Sequence, residues 1–287
     1  MDAFWIILTG SLVATCCALL GCFLLLRKMT MVGDAISHAV LPGIVLAYLV
    51  TASRASFPML VGAAIFGVIT TVLIELLSKK GKLQEDAAIG VSFTWLFSIG
   101  VILISVFAGQ VDLDQDCVLY GEIAYVPLDT LYIGENNLGP EPVWLLGINL
   151  LIIIIFILFG FKGLVVTSFD PILATSLGIS TVFWHYALMS LVSLTTVFSF
   201  ESVGAIMVVA FLIGPPAVAY LLTEDLKTML MLSVIFGIGA AVGGYYLAVA
   251  IDASIAGAMA SVIGAEFIFA FIVNPRNGIL KRRKMAA

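Results

Sequence analysis

The stretch MTMVGDAISHAVLPGIVLAYLV, residues 29–50, is suited to a lipid-spanning helix except at Asp34 and His38. A run of about 20 apolar residues crosses a hydrocarbon core of about 30 Å. The i, i+4 spacing of Asp34 and His38 puts the carboxylate and the imidazole on one helix face. Either group alone in hydrocarbon costs a few kcal/mol on insertion scales, so that face is expected to turn toward the bundle interior or a wet path. A structural Asp–His hydrogen bond would offset part of the cost and is one reading of the pair. Pro42 adds a second feature. It has no N–H, so the carbonyl of His38 loses its helical partner and the helix is expected to kink there. A carboxylate oxygen, an imidazole nitrogen and a freed carbonyl then converge, with Gly33 and Gly43 leaving room for neighbouring backbone. That donor set suits a borderline divalent ion such as Mn²⁺, Zn²⁺ or Fe²⁺ better than an alkali ion. Two side-chain ligands, Asp34 and His38, suit a passing ion, because a complete cage would bind too tightly to release it.

The rest of the chain is consistent with a membrane setting. Of 287 residues 62% are hydrophobic and 11% charged, and the mean hydropathy is +1.19, which excludes a soluble domain with a solvated surface. Nine apolar runs of spanning length lie near 4–26, 31–50, 57–77, 88–108, 142–161, 181–200, 202–222, 228–250 and 254–273. The fold class expected is therefore an all-α polytopic membrane protein of about nine transmembrane helices, 8–10 allowing for boundary error, in a single domain over 1–287. The first run has no basic segment before it and reads as a retained span, not a cleaved signal. FSFES at 198–202 reads as a short hinge, and a re-entrant arrangement of 181–222 fits equally well. If the N-terminus is outside, all of the 13 Lys and Arg except Arg54 fall on the cytoplasmic side, the asymmetry expected of a plasma-membrane protein with its C-terminus inside.

Acidic residues gather on the opposite face. Residues 109–141 form an acidic extracytoplasmic segment with Asp112, Asp114, Asp116, Glu122, Asp129, Glu135 and Glu141 and no Lys or Arg. It reads as a solvated loop or as a docking or cation-concentrating surface. Cys16, Cys17 and Cys22 in the first span read as small packing residues, and with Cys117 alone outside no disulfide is expected. Gly239 and Gly243, and Ala256, Ala260 and Gly264, repeat at the interval that lets helices approach closely. Glu75 and Glu266 are further acids within spans, without an assignable partner.

Two more stretches carry signals. In GAIMVVAFLIGPPAVAYLL, 204–222, Gly214, Pro215 and Pro216 either interrupt the seventh span or merely kink it, and Pro215 and Pro216 free the carbonyls of Phe211 and Leu212. Glu201 stands before it. In VVTSFDPILATSLGIS, 165–180, Ser168 or Asp170 caps a short helix that Pro171 starts and Gly178 ends. The phosphate-cradling pattern GxxxxGK[ST] is absent: Gly81-Lys82 is followed by Leu83. Without it, nucleotide-driven work must come from a partner, and no enzymatic activity, permanent cofactor or nucleic-acid partner is expected.

GDAISHAVLPGI at 33–44, SFDPILATSLGI at 168–179 and ESVGAIMVVAFLIGPPAVA at 201–219 together resemble the membrane permease subunit of bacterial ABC metal-uptake systems, the ABC-3 family for manganese, zinc and iron. The resemblance runs over nearly the whole chain. It implies a type II ABC importer permease-like bundle in the cytoplasmic (inner) membrane, paired with a second permease copy or a sister permease. It further implies cytoplasmic ABC ATPase subunits, an extracytoplasmic metal-binding protein that delivers the ion, and Asp34 and His38 as intramembrane metal ligands. The helix within 168–180 would be the cytoplasmic coupling helix. The outer segment 111–141, with LYGEI at 119–123, is longer and more acidic than the family pattern. Alternatives from the residues alone are a proton-coupled secondary metal transporter or channel that works without an ATPase, and an anchoring protein with no transport role.

Overall fold

The structure is a computed structural model that describes residues 2–51, 56–107, 123–133 and 136–274. Arg54, Cys117, the acids Asp112, Asp114, Asp116, Glu122 and Glu135, and the basic residues beyond Asn274 lie outside the described residues. The elements in chain order are α1 (Asp2–Leu26), α2 (Met31–Ala39), α3 (Leu41–Thr51), α4 (Ser56–Lys79) and α5 (Glu85–Phe107). A 3-10 turn (Ile123–Leu128) and a hairpin of β1 (Thr130–Ile133) and β2 (Asn136–Pro140) follow. The chain continues as α6 (Glu141–Phe169), α7 (Pro171–Ser176), α8 (Thr181–Val203), α9 (Ala205–Leu222), α10 (Leu226–Ile251) and α11 (Ile255–Val273). Among the described residues nine helical segments are long and apolar enough to cross a membrane, α2 and α3 counting as one. The chain is an all-α, multi-pass membrane protein.

Small residues put α1 at the centre. Its Cys16, Cys17, Leu20, Cys22, Phe23 and Leu24 are wholly buried, and α6, α8, α9 and α10 all pack on it. The Cys22 thiol lies 3.1 Å from Ser233 Oγ on α10, and a Cβ added at Gly237 would sit 3.2 Å from that of Ala14. The close seam of α10 is Gly237, Ala240, Ala241 and Gly244, all buried, spaced as one stripe of a helix. Gly244 rides directly on the backbone of Met259 in α11. The Gly239 and Gly243 pair singled out by its interval instead borders Glu266 and Val262, and a Cβ at Gly264 would meet nothing within 4 Å. A second group, α3, α4 and α5, packs beside this one, with α2 and α8 in contact with both.

Two expectations change. α8 runs through FSFES and ends at Val203, and the break lies at Gly204, whose φ of 79° is a conformation that favours glycine. α9 then continues through Gly214, Pro215 and Pro216 as one helix, so of the two readings of that stretch the uninterrupted one holds. The Leu212 carbonyl, freed by Pro216, lies against Gly21 of α1, where a side chain would clash with it. The fifth span also extends beyond 161. At 29 residues α6 is about 44 Å long and exceeds the hydrocarbon thickness. Its last turn is tied down by Arg27, whose Nε and Nη2 donate to the hydroxyls of Ser168 and Thr167, both at 2.9 Å. Burial lowers the Arg27 guanidinium to a pKa of about 10, so it stays charged at neutral pH.

These contacts gather the described basic ends. Arg27 meets the end of α6, Lys227 Nζ stands 5.9 Å from the Phe161 ring, and Lys79 closes α4 beside the start of α8. At the opposite end Ile123 packs near Gly10 of α1, and Gly139 packs on Trp5.

Candidate functional site

α2 and α3 are one span cut in two. Val40 still donates to the Ile36 carbonyl at 3.1 Å, but Leu41 starts a new helix, and the next helical bonds come from Gly43 and Ile44 to the Val40 carbonyl. The cut falls where Pro42 removes the donor that His38 would need. Glycine fits the two halves into place: Gly33 receives Leu212 of α9, and Gly43 packs backbone to backbone on Gly62 of α4. A side chain at Gly43 would force α3 away from α4, whereas one at Gly33 would have to displace the Leu212 side chain.

Asp34 and His38 are brought together, with Nε2 3.6 Å from Oδ1. That is ion-pair range and beyond a hydrogen bond, so the two groups do not satisfy each other. Apart from Met31 at its start, which is exposed, the other residues of α2 are buried: Val32, Gly33, Ala35, Ile36, Ser37 and Ala39. His38 and Asp34 instead keep 33% and 36% of their side-chain surface exposed along the border with α5. The imidazole lies near Phe93 and Phe97, ring centroids 5.9 and 6.2 Å away. It also lines a cavity of about 40 Å³ with Ser37, Val40, Leu41, Ile44, Phe97 and Phe200. This is room for about one or two waters or a partly dehydrated ion. The Ser37 hydroxyl is engaged with the Gly33 carbonyl at 2.9 Å.

A second acid–imidazole pair was not legible from spacing, because its members lie on different helices. Glu75 of α4 faces His185 of α8, Oε2 to Nε2 at 3.8 Å. Lys79 is ion-paired with the other oxygen, Oε1, and the Tyr186 hydroxyl also reaches this carboxylate. Glu75 Oε2 and His185 Nε2 are buried without a hydrogen-bond partner, a state that costs about 1–3 kcal/mol per group. The one available signal was that the chain has two histidines, each within a span. Glu266 Oε2 is likewise buried without a partner, with its other oxygen toward Gly239. Among the described residues no three His, Cys, Asp or Glu converge on one point. A metal held here would have two side-chain ligands from this chain at either pair.

Capping organises α7. Asp170 accepts from the Leu173 N–H at 2.9 Å, Pro171 takes the first helical position, and Gly178, at φ 75°, turns the chain toward α8. Of the two cap candidates, Asp170 serves. Ile172 is 83% exposed, and Phe169, Leu177 and Phe183 are exposed with it, an apolar tip open to a partner.

Nine spans among the described residues, with α1 at the centre and one of the others broken beside an acid and an imidazole, define a multi-pass membrane protein of the permease type. Residues 3–274 match the model of a family described as the ABC 3 transport family, and the chain belongs to that family. It is 48% identical to the manganese transport system membrane protein MntD of Bacillus subtilis, covering 97% of this chain and 94% of that protein. It is 43% identical to the zinc transport system membrane protein TroD of Treponema pallidum, covering 96% and 75%. Among solved structures it resembles PsaBC from Streptococcus pneumoniae in complex with Fab, with a TM-score of 0.80 and 30% identity over 97% of this chain and 94% of that one. An inward-facing ABC transporter of metal-chelate type shares the fold, with a TM-score of 0.68 at 18% identity over 93% and 84%.

Proposed function

We propose that this chain is the permease of an ABC importer that carries a divalent transition metal ion, manganese or zinc, into the cytoplasm, with Asp34 and His38 as the ligands at which the ion pauses. The observation that carries the reading is an acid and an imidazole 3.6 Å apart but not hydrogen-bonded, beside the break in a span of an ABC 3 family member. Relatives named for manganese and zinc support the cargo, and iron is the third ion to test. Their strip is about one-third exposed in the single chain. An ionisable face at membrane depth is expected to be covered by protein or water, not lipid, which supports a second permease subunit seated against α2 and α5.

The path runs from the acidic outer face to the basic inner one, with the N-terminus outside. A metal-binding protein docks on the outer segment 109–141 and releases the ion into the bundle. The carboxylate of Asp34 supplies charge and the imidazole of His38 supplies nitrogen, which together favour a transition ion over Na⁺, K⁺ or Ca²⁺. The apolar tip at α7 seats in a cytoplasmic ATPase. Nucleotide-driven movement of α7 passes directly to α6 and α8, which flank it and both pack on α1, and so shifts the bundle between outward and inward access. Family membership favours this over a proton-coupled transporter that works alone.

The test is ATP-dependent uptake of radioactive manganese or zinc into proteoliposomes that contain the permease, its ATPase and its binding protein. Uptake that needs ATP and is lost in Asp34→Ala and His38→Ala, with the complex intact, is the expected result. Uptake by the permease alone, driven by a pH gradient, would overturn it.

A further inference from the structure

Each of the two histidines in this chain stands beside a carboxylate within the spans, and the proposed pausing site uses only one of them. Gly67 of α4 meets Ser193 of α8, and a Cβ there would also lie 3.2 Å from Ile36, the residue of α2 between Asp34 and His38. Eight residues further along α4 is Glu75, and eight residues back along α8 is His185. Two antiparallel helices in contact keep that register. At 1.5 Å per residue the second pair lies about 12 Å from the level of the first, toward the end that carries Arg27 and Lys79.

The chemistry of the pair is specific. Glu75 Oε2 and His185 Nε2 are 3.8 Å apart, buried, and without hydrogen-bond partners. Two metal–ligand bonds of about 2.1 Å at a tetrahedral angle would place a carboxylate oxygen and an imidazole nitrogen about 3.4 Å apart. The other carboxylate oxygen is held by Lys79, whose side chain is 68% exposed and free to swing into water. Arg27 is the further cation acting on His185.

We propose that Glu75 and His185 form a second station for the divalent ion on the cytoplasmic side of Asp34 and His38, and that Lys79 is its release device. This rests on the metal-permease reading. An arriving doubly charged ion displaces the Lys79 ammonium from the carboxylate, and the ammonium's return weakens the hold and lets the ion leave. A tethered competitor of this kind solves the problem of binding an ion in a buried place without trapping it.

The test uses the permease–ATPase complex, purified without histidine tags and titrated with Mn²⁺ alone. In Asp34→Ala/His38→Ala the only imidazole left in this chain is His185. The expected result is that this double variant still binds Mn²⁺ with ¹⁴N modulation in its electron spin echo, and that adding His185→Gln removes the modulation. Lys79→Ala in the same background should tighten Mn²⁺ about tenfold, and in the otherwise unchanged protein should slow ATP-driven uptake about threefold or more. Lys79 is exposed, so this variant should fold normally. No nitrogen-coupled Mn²⁺ in the double variant, a signal indifferent to His185→Gln, or an affinity indifferent to Lys79→Ala would each overturn the proposal. Wild-type uptake is measured in parallel. Loss of the second-site signal with intact uptake refutes the station alone, whereas absent wild-type uptake of manganese, zinc and iron refutes the reading beneath it.

Discussion

Replacing His38 by alanine separates a structural pair from a ligand. The imidazole stands 3.6 Å from Asp34 with about a third of each side chain exposed, and such an i, i+4 pair contributes about 0.3–0.5 kcal/mol. Its ring contacts with Phe93 and Phe97 add about 1 kcal/mol. Without metal, His38→Ala should therefore lower the unfolding midpoint by only about 2–5 °C. Metal tells the two roles apart. At a Mn²⁺ concentration of 100 times the dissociation constant, a bound ion stabilises the native protein by about 2.7 kcal/mol. Losing a ligand that weakens binding about 10- to 100-fold cuts that increment to about 0.4–1.4 kcal/mol at the same concentration. Thermal unfolding of the purified complex in a His185→Gln background, where only the first pair can hold the ion, reads both quantities with and without Mn²⁺, and ATP-driven uptake should fall by about two orders of magnitude in His38→Ala alone. An unchanged Mn²⁺ increment in His38→Ala, or a metal-free midpoint lowered by more than about 10 °C, would refute the ligand assignment in favour of a structural one.

Pro42→Ala restores an N–H to meet the His38 carbonyl; the amide at 42 should exchange slowly in deuterium exchange and metal uptake should fall while the fold survives. Gly67→Ala drives a methyl into Ser193 and toward Ile36, an overpacking that costs about 1–3 kcal/mol, with a lowered midpoint and reduced uptake together. Asp170→Ala removes the α7 cap, 2.9 Å from the Leu173 amide, at a cost of about 1 kcal/mol or less; ATPase activity of the assembled complex should respond less to metal-loaded binding protein, with permease expression unchanged. The Thr228 N–H and hydroxyl, each 2.9 Å from Asp225 Oδ2, hold the Asp225 carboxyl below its usual range. Its capping of α10 should persist above the ordinary aspartate value of about 3.9 and be lost as pH falls through the lower folded value. First-turn amides of α10 should then exchange faster in acid, and in Asp225→Asn that pH dependence should vanish.

Hydropathy alone located the nine spans, because lipid imposes a length of about 20 apolar residues whatever the helices later pack against. The break at Pro42 was equally legible, and the cap of α7 was narrowed to Ser168 or Asp170, since a missing N–H and a side-chain acceptor three residues before an amide are local facts. Asp34 and His38 could be paired on paper because one helix carries both, and the 3.6 Å approach follows from helical periodicity. Tertiary structure decided what depends on a second helix. Glu75 and His185 are 110 residues apart in the chain, and only the α4–α8 register, set where Gly67 admits Ser193, makes them neighbours. The same holds for Pro215 and Pro216: their sequence announces lost donors, but whether the helix ends there is a tertiary matter, and α9 runs on as one helix packed so closely on α1 that the Leu212 carbonyl lies against Gly21. Local chemistry is written in consecutive residues, whereas the meeting of distant groups is set by how closely two surfaces pack.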